Sequence, residues 1–170
     1  KRWKWLWISV LMSLTACQNG TGQAKGFPMD NKMEWLVAAS APRGYDIELV
    51  GHHNYFIQND GSTDYGFMSG QIGAGWGESS TLASNLPTKS PIPKAVNLRW
   101  ISLRENQFYE GRFELPKAKI EQMLRDGYES RRSKMKGIRE TYSYLTIGFA
   151  PGSGVVLWLS NQTRREVAYF

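Results

Sequence analysis

The sequence has little of the chemistry that most enzymes use. It contains one cysteine, Cys17, and two histidines, the adjacent His52 and His53. A Ser–His–Asp triad would need one of these histidines, and no serine lies in a Gly-x-Ser-x-Gly motif. A zinc site needs a third or fourth ligand, and the usual spacings of zinc-binding histidines are missing. We therefore expect no catalytic centre, no metal and no cofactor, and interpret His52 and His53 as ordinary surface or loop residues.

The chain also lacks a long apolar run and a strong excess of one charge. Its longest apolar segment, residues 5–14, has about half of the roughly 20 residues that a membrane-spanning helix needs. The full chain has 21 Lys and Arg against 15 Asp and Glu. Without the three basic residues at positions 1, 2 and 4, 18 remain against 15, a net charge of about +3. This excess is too small to indicate nucleic-acid binding.

The first 16 residues have the three parts of an export signal. A basic start is followed by the short apolar segment and then by small residues. The sequence Leu14, Thr15, Ala16, Cys17 resembles the lipobox of bacterial lipoproteins, in which the cysteine carries a diacylglycerol and becomes the first residue after cleavage. This resemblance predicts lipidation at Cys17. The alternative is an ordinary free thiol or a small buried residue. Because Gln18 and not aspartate follows, the resemblance implies the periplasmic face of the outer membrane.

Residues 17–32 are polar and contain glycine and one proline without an apolar period. We interpret them as the lipidated N-terminus and a flexible tether. About fifteen residues of flexible chain reach about 20 Å. Residues 33–170 are long enough for one domain with one hydrophobic core.

Most of this domain has the pattern of short strands. Residues 45–50 alternate between apolar and charged side chains, as a half-buried strand does. The clearest hairpin is residues 95–115, with a turn at 104–107, and three further strands are predicted at 143–149, 155–160 and 165–170. Residues 81–93 contain three prolines and are expected to form a loop. We predict a mainly β (α+β) fold: an antiparallel β-sheet or sandwich with one amphipathic helix packed on or beside it.

The helix is predicted to follow Pro116, which suits a first helical turn. Its apolar stripe has helical spacing and continues past the weak point at Gly127. The stripe consists of Ile120, Met123, Leu124, Tyr128 and Met135.

Two surfaces are candidates for contact with a partner. Residues 70–77 are rich in glycine but lack the Lys-Ser/Thr pair of a nucleotide-binding loop. Trp76 in this loop is either a binding anchor or a core residue. The second candidate is a basic stretch at residues 117–139 that includes Arg131 and Arg132. It is either a solvated helix face or a surface that attracts an acidic protein or anionic lipids.

In its order of motifs the domain resembles a family of Gram-negative bacterial lipoproteins known only as a domain of unknown function. The matching segments are residues 35–45, 73–77, 93–100, 108–116 and 147–159. The resemblance brings no activity and no catalytic residues. The paired cysteines that the family often has near its Trp-Gly loop are missing here.

These observations predict a non-enzymatic, outer-membrane-anchored lipoprotein that binds a protein in the periplasm. By analogy with envelope lipoproteins that protect their cell against toxic phospholipases, it is expected to act as an immunity protein. The alternative is a structural or lipid-binding component of the cell envelope.

Overall fold

A computed structural model of the chain describes residues 32–64, 70–73, 75–78, 80–81, 87, 89–132, 134 and 137–170. Within these residues the chain is mostly β-strand, with one α-helix and one short 3₁₀ turn at Gly51–His53. The strands are β1 (Lys32–Glu34), β2 (Leu36–Ser40), β3 (Ile47–Leu49), β4 (Tyr55–Ile57), β5 (Thr63–Asp64), β6 (Gln71–Ile72), β7 (Ser80–Thr81), β8 (Lys89–Pro91), β9 (Ala95–Ser102), β10 (Gln107–Glu114), β11 (Tyr128–Glu129), β12 (Arg139–Glu140), β13 (Tyr144–Phe149), β14 (Val155–Ser160) and β15 (Arg164–Tyr169). The helix is α1 (Lys117–Asp126). The predicted mainly β fold with one helix is confirmed.

The first sheet is built around the long hairpin β9–β10. One edge of β9 pairs with β10, and the other edge pairs with β4 and then with β3. The 3₁₀ turn separates β3 from β4, and Asn54 spans the gap, because its side-chain oxygen accepts the Arg99 backbone N–H at 2.7 Å. β6 pairs with β3 and β5 with β4, and all pairs in this sheet are antiparallel.

The second sheet has the strand order β15-β14-β13-β2-β7. The predicted hairpins at the end of the chain are present, because β13, β14 and β15 pair antiparallel in sequence. β2 pairs with β13 in parallel, from Leu36 opposite Tyr144 to Ser40 opposite Gly148. A parallel pair needs a long connection, and here the connection contains the whole first sheet and the helix.

The two sheets pack face to face and share one hydrophobic core. Alternate residues of β9 (Val96, Leu98 and Trp100) point into it, as the alternating pattern predicts. The Trp100 ring meets the Phe149 ring of β13 at 5.1 Å between centroids. Burial of these apolar side chains provides the main stabilisation of the fold, at about 1.5–3 kcal/mol for each large one.

The Glu105 carboxylate joins the two sheets at one end. It accepts hydrogen bonds from the hydroxyls of Tyr45 and Tyr109, and from the backbone N–H of Gly152 in the turn between β13 and β14. The Tyr45 hydrogen bond is the main cause that lowers the pKa of Glu105. Burial, and then this hydrogen bond, raise the pKa of Tyr45 to about 12.

Two sequence expectations need correction. The helix ends at Asp126, because Gly127 has φ +59° and its N–H caps the Met123 carbonyl. Tyr128 then starts β11, which pairs with β12, so the predicted stripe does not continue on one helix; Met135 lies outside the described residues. The expected loop at 81–93 contains β8, which pairs with β1. A proline at the end of a two-stranded ribbon is compatible with strand pairing.

Candidate functional site

Two tryptophans form a stack on the outer face of the second sheet. Trp158 in β14 lies over Gly148 of β13, so closely that a Cβ at residue 148 would be 2.4 Å from the ring. The Trp76 ring meets Trp158 edge to face, with centroids 4.9 Å apart and an angle of 81°. Trp76 remains 40% exposed, whereas Trp158 is 5% exposed. One side of Trp76 is therefore packed while another faces solvent.

The backbone beside Trp76 is held by hydrogen bonds with Ser40 of β2, with the adjacent Ala41 and within its own turn. The Ser40 hydroxyl donates to the Gly75 carbonyl at 2.9 Å and accepts the Gly77 N–H at 2.6 Å. The Gly75 N–H donates to the Ala41 carbonyl at 3.1 Å, and the Glu78 N–H closes a turn on the Gly75 carbonyl at 3.0 Å. These bonds fix the position at which the Trp76 side chain is presented.

Arg164, at the start of β15, also holds Trp76 and Trp158 in place. Its Nη1 donates to the Trp76 carbonyl at 3.0 Å, and its guanidinium lies 5.7 Å from the Trp158 ring centroid. Gly77 makes this approach possible, because a Cβ there would be 1.6 Å from Arg164 Nη1. Gly77 also has φ +77°, a conformation that favours glycine.

Next to this stack lies a polar cleft of about 630 Å³, which we call the arginine cleft. It is lined by Gly77, Glu78, Arg131, Tyr144 and residues 160–164. A second cleft of about 310 Å³, the side cleft, is lined by Tyr128, Glu129, Arg131, Tyr142, Thr163, Arg164 and Arg165. The two clefts share Arg131, Thr163 and Arg164, so these residues separate two adjoining spaces.

The charges that line the clefts favour an anionic ligand. Three arginines line them, at positions 131, 164 and 165, against the two carboxylates of Glu78 and Glu129. Glu78 forms an exposed ion pair with Arg43 at 3.5 Å. Glu129 accepts the Gly137 N–H at 3.3 Å. Within the described part of the chain, no carboxylate lies in ion-pair distance of Arg131.

A partly buried hydrogen-bond network holds β11 beside the turn between β14 and β15. The Tyr128 hydroxyl donates to Glu140 at 2.8 Å and accepts the Gln162 N–H at 3.3 Å. Ser130 also donates to Glu140, at 2.5 Å. The Ser130 bond, followed by the Tyr128 bond, lowers the pKa of Glu140. This network places the adjacent Arg131 at the wall of the clefts.

The structure brings two of the sequence-predicted candidates together. Trp76 and Arg131 are 55 positions apart in the sequence, yet Gly77, the neighbour of Trp76, lines the same cleft as Arg131. Arg132 lines neither of the two clefts, and its charge acts on Glu140 instead. Cys17 lies outside the described residues.

The sequence analysis does not single out Arg164, although its Nη1 donates to the Trp76 carbonyl and its guanidinium lies near the Trp158 ring. The adjacent arginines at 164 and 165, directly after a turn, were the only signal for it in the sequence. The contact of Arg164 with Trp76 depends on the strand pairing of the second sheet, which the alternating pattern of side chains does not predict.

The basic stretch at 117–139 is not one helical face. The α1 part is already engaged, since Lys117 and Arg125 pair with Glu121 at 3.6 and 3.7 Å, and Lys119 donates to the Val167 carbonyl at 2.5 Å. Arg131 belongs to a separate segment after β11. The interpretation of the whole stretch as one solvated helix face is therefore wrong, because the helix ends at Asp126.

His52 and His53 are exposed in the 3₁₀ turn, as the sequence interpretation expects. Among the residues that the structure describes, no group of three or more His, Cys, Asp or Glu side chains is placed to hold a metal ion. No helix in the described part of the chain is long and apolar enough to span a membrane.

The order of motifs and the β architecture agree with one family. The chain belongs to the family described as Protein of unknown function (DUF2931). The match covers residues 18–169, so it includes the whole β domain, the Trp76 loop and both clefts. No curated protein and no solved structure shows significant similarity to the chain. The expected membership of an uncharacterised family is confirmed, and the family assigns no activity to the site.

Proposed function

We propose that this chain is a lipoprotein anchored through Cys17 to the periplasmic face of the outer membrane, and that its β domain binds another protein without catalysing a reaction. The observation that carries the binding role is Trp76, which is held firmly and half exposed beside the arginine cleft. Trp and Arg are the residues most enriched at the energetic centres of protein interfaces. A side chain that is already fixed loses little conformational entropy when a partner binds.

The sequence before the domain supports the anchored location. A basic start, a short apolar segment and the Leu-Thr-Ala-Cys sequence stand in the order of a lipoprotein signal. Several acyl chains on one cysteine would hold the protein firmly at a membrane. In its most specific form the proposal is an immunity protein that blocks a secreted lipase-type effector, by analogy with other small envelope lipoproteins.

Site-specific photo-crosslinking in cells tests the binding role. A photoreactive aromatic amino acid replaces Trp76 in one variant, so that an aromatic ring remains at the proposed contact, and replaces Phe108 in the control variant. Phe108 is 52% exposed on β10 of the first sheet, away from the clefts. We expect one defined protein to crosslink at position 76 and not at position 108, and to bind the purified chain. Equal crosslinking at both positions, or none at position 76, contradicts the proposal.

The anchor is tested by Cys17→Ser. We expect wild-type protein to incorporate labelled palmitate and to fractionate with outer membranes, whereas the variant does neither. A variant that is processed identically and remains in the membrane fraction contradicts lipidation at Cys17. For the immunity role, the chain should restore growth of cells that produce the crosslinked partner in the periplasm.

A second candidate function, lipid binding, is favoured by an apolar groove of about 390 Å³ between β1, β2 and α1. Met33, Leu36, Leu124 and Tyr142 contribute to its lining, and Leu36 is 38% exposed. This function predicts that the natively purified protein carries a bound lipid. Mass spectrometry of wild-type protein and of Leu36→Asp would show a lipid that is lost in the variant.

A further inference from the structure

We infer that the arginine cleft and the side cleft together bind an extended acidic segment of the partner, with carboxylates on Arg131 and Arg164. This inference rests on the proposed function and adds the chemistry of the ligand. The family assigns no ligand to these clefts, and the sequence pattern offers Arg131 only as part of a basic stretch, without Arg164 and without a cleft.

The donors for carboxylate recognition are available. Arg131 is exposed and has no ion-pair partner among the described carboxylates. Arg164 uses Nη1 for the Trp76 carbonyl, and a guanidinium has five N–H donors in a fixed planar arrangement. The stack with Trp158 holds this guanidinium in place. An arginine that is fixed in advance binds a carboxylate with a smaller entropy cost than a free side chain.

The shape of the site favours an extended segment over a single small ion. The two adjoining spaces, about 630 and 310 Å³, meet at Arg131, Thr163 and Arg164. A chain that crosses this boundary would place side chains on alternate sides, at about 3.3 Å per residue. The exposed part of Trp76 beside the larger cleft offers an apolar contact to the same segment.

A protein segment fits these observations better than a membrane surface. The arginines line concave spaces, whereas a bilayer is attracted by basic residues that project from a convex or flat face. Glu78 and Glu129 line the same clefts, so a ligand must place its carboxylates on the arginines and away from these two acidic side chains. A peptide segment with spaced side chains can do this, whereas a continuous anionic surface cannot. Attraction to anionic lipid scales with the number of basic residues near the surface, at about 1 kcal/mol for each.

The test uses the full-length chain in detergent micelles and fluorescein-labelled hexaglutamate as the probe. Hexaglutamine of the same length is the uncharged control peptide, and fluorescence anisotropy at low salt is the measurement. We expect hexaglutamate to bind at least about tenfold more tightly than hexaglutamine, and its affinity to fall as salt is added. Equal affinity for the two peptides overturns the inference.

Matched arginine variants locate the binding. Arg131→Gln is expected to raise the Kd for hexaglutamate about tenfold, because one charge-assisted hydrogen-bonded contact is lost. Arg164→Gln should raise it at least as much and also alter the Trp76 fluorescence environment. Arg112→Gln is the control, since Arg112 pairs with Glu114 on β10 at 2.8 Å. A loss of affinity in the control as large as in Arg131→Gln overturns the inference.

Two competitors of the labelled peptide distinguish a protein carboxylate from a free phosphate or a lipid headgroup as the anionic ligand. Inorganic phosphate and phosphatidylglycerol vesicles are added to the hexaglutamate complex. The inference holds if phosphate at the concentration of the peptide leaves the complex intact and the vesicles do not bind in an Arg131-dependent way. It is overturned if the vesicles displace the peptide and lose affinity in Arg131→Gln, since the ligand is then a membrane surface.

The inference and the proposed function can fail separately. A protein that crosslinks at position 76, together with no preference for hexaglutamate, overturns the acidic segment and leaves the binding function in place. Arg131-dependent binding of hexaglutamate without a crosslinked protein supports the cleft chemistry and contradicts the proposed function.

Discussion

At the scale of single residues, the site depends on two glycines, which have no side chain, as much as on the tryptophans and Arg164. The Trp158 ring lies over Gly148, and Arg164 reaches the Trp76 carbonyl across Gly77. A methyl group at either glycine would occupy the position of the neighbouring side chain. The two glycines therefore set the distance at which the aromatic stack and the arginine anchor meet.

Gly148→Ala is expected to lower the free energy of unfolding by about 1–3 kcal/mol, because the new methyl group forces the Trp158 ring away from the sheet. The Trp76–Trp158 contact should loosen with it, which tryptophan fluorescence would report. Gly70→Ala is the control, since a Cβ there meets nothing within 4 Å and the backbone is not in the left-handed region. That control should stay within about 0.5 kcal/mol of wild type in urea unfolding.

Glu105 gives a prediction on pH. Its pKa is lowered in the folded protein, so its contribution to stability is fully present above its unfolded pKa, about 4.3, and is lost as the pH falls through the lower folded value. Glu105→Gln should therefore have a lower Tm than wild type at pH 7, and the two Tm values should converge as the pH falls below about 4.

Thermal unfolding followed by circular dichroism between pH 7 and pH 3 measures this difference. Glu114→Gln, which removes an exposed ion pair, serves as the control and should change Tm little at any pH. If the Tm difference between Glu105→Gln and wild type does not depend on pH, the charge of the Glu105 carboxylate does not contribute to joining the two sheets.

At the scale of elements, local patterns predicted the strands whose partners are next to them in the sequence. The hairpin β9–β10 and the strands β13 to β15 follow from alternating side chains and from glycine-containing or polar turns. The sequence predicts a loop at 81–93 and not β8, because β1, the strand that pairs with β8, lies more than 50 positions away. The apolar period alone does not predict the end of α1, because Gly127 stops the helix through its positive φ and its capping N–H and does not merely weaken it.

In the candidate site, too, the sequence predicts the individual residues but not the long-range contacts between them. The sequence offers Trp76, in a glycine-rich loop, and Arg131, in a basic stretch, as two separate candidates. The sequence does not predict the cleft beside them, since that cleft is formed by the turn between β14 and β15 and by the Tyr128–Glu140 network. Arg164 acquires its role only when the second sheet brings it to Trp76.

A substitution at Asn54 tests how β9 is held to β3 and β4, which pair with it one after the other. Its side chain is fully buried and replaces a backbone acceptor for the Arg99 N–H. Asn54→Ala should leave this donor unpaired and cost about 1–3 kcal/mol of unfolding free energy. Asn59→Ala, in the exposed turn after β4, is the control and should change the unfolding free energy by no more than about 0.5 kcal/mol.

At the scale of the whole molecule, one core connects both sheets and the helix. Leu98, in the middle of β9, is fully buried in that core. Leu98→Ala should cost about 2–5 kcal/mol, because it removes apolar contacts and leaves a cavity. Far-ultraviolet circular dichroism and tryptophan fluorescence should still report one coincident transition. Separate transitions for the two probes would contradict a single shared core.

The parallel pair of β2 and β13 has a consequence for biosynthesis. β2 is complete at residue 40, but the strand that it joins begins only at residue 144. A ribosome that synthesises the chain from its N-terminus must therefore release most of it before β2 can take its place. Until then the apolar strand 36–40 has an unpaired edge, which is the kind of segment that attracts chaperones or wrong partners. Closure of the second sheet is bound to be a late, long-range event.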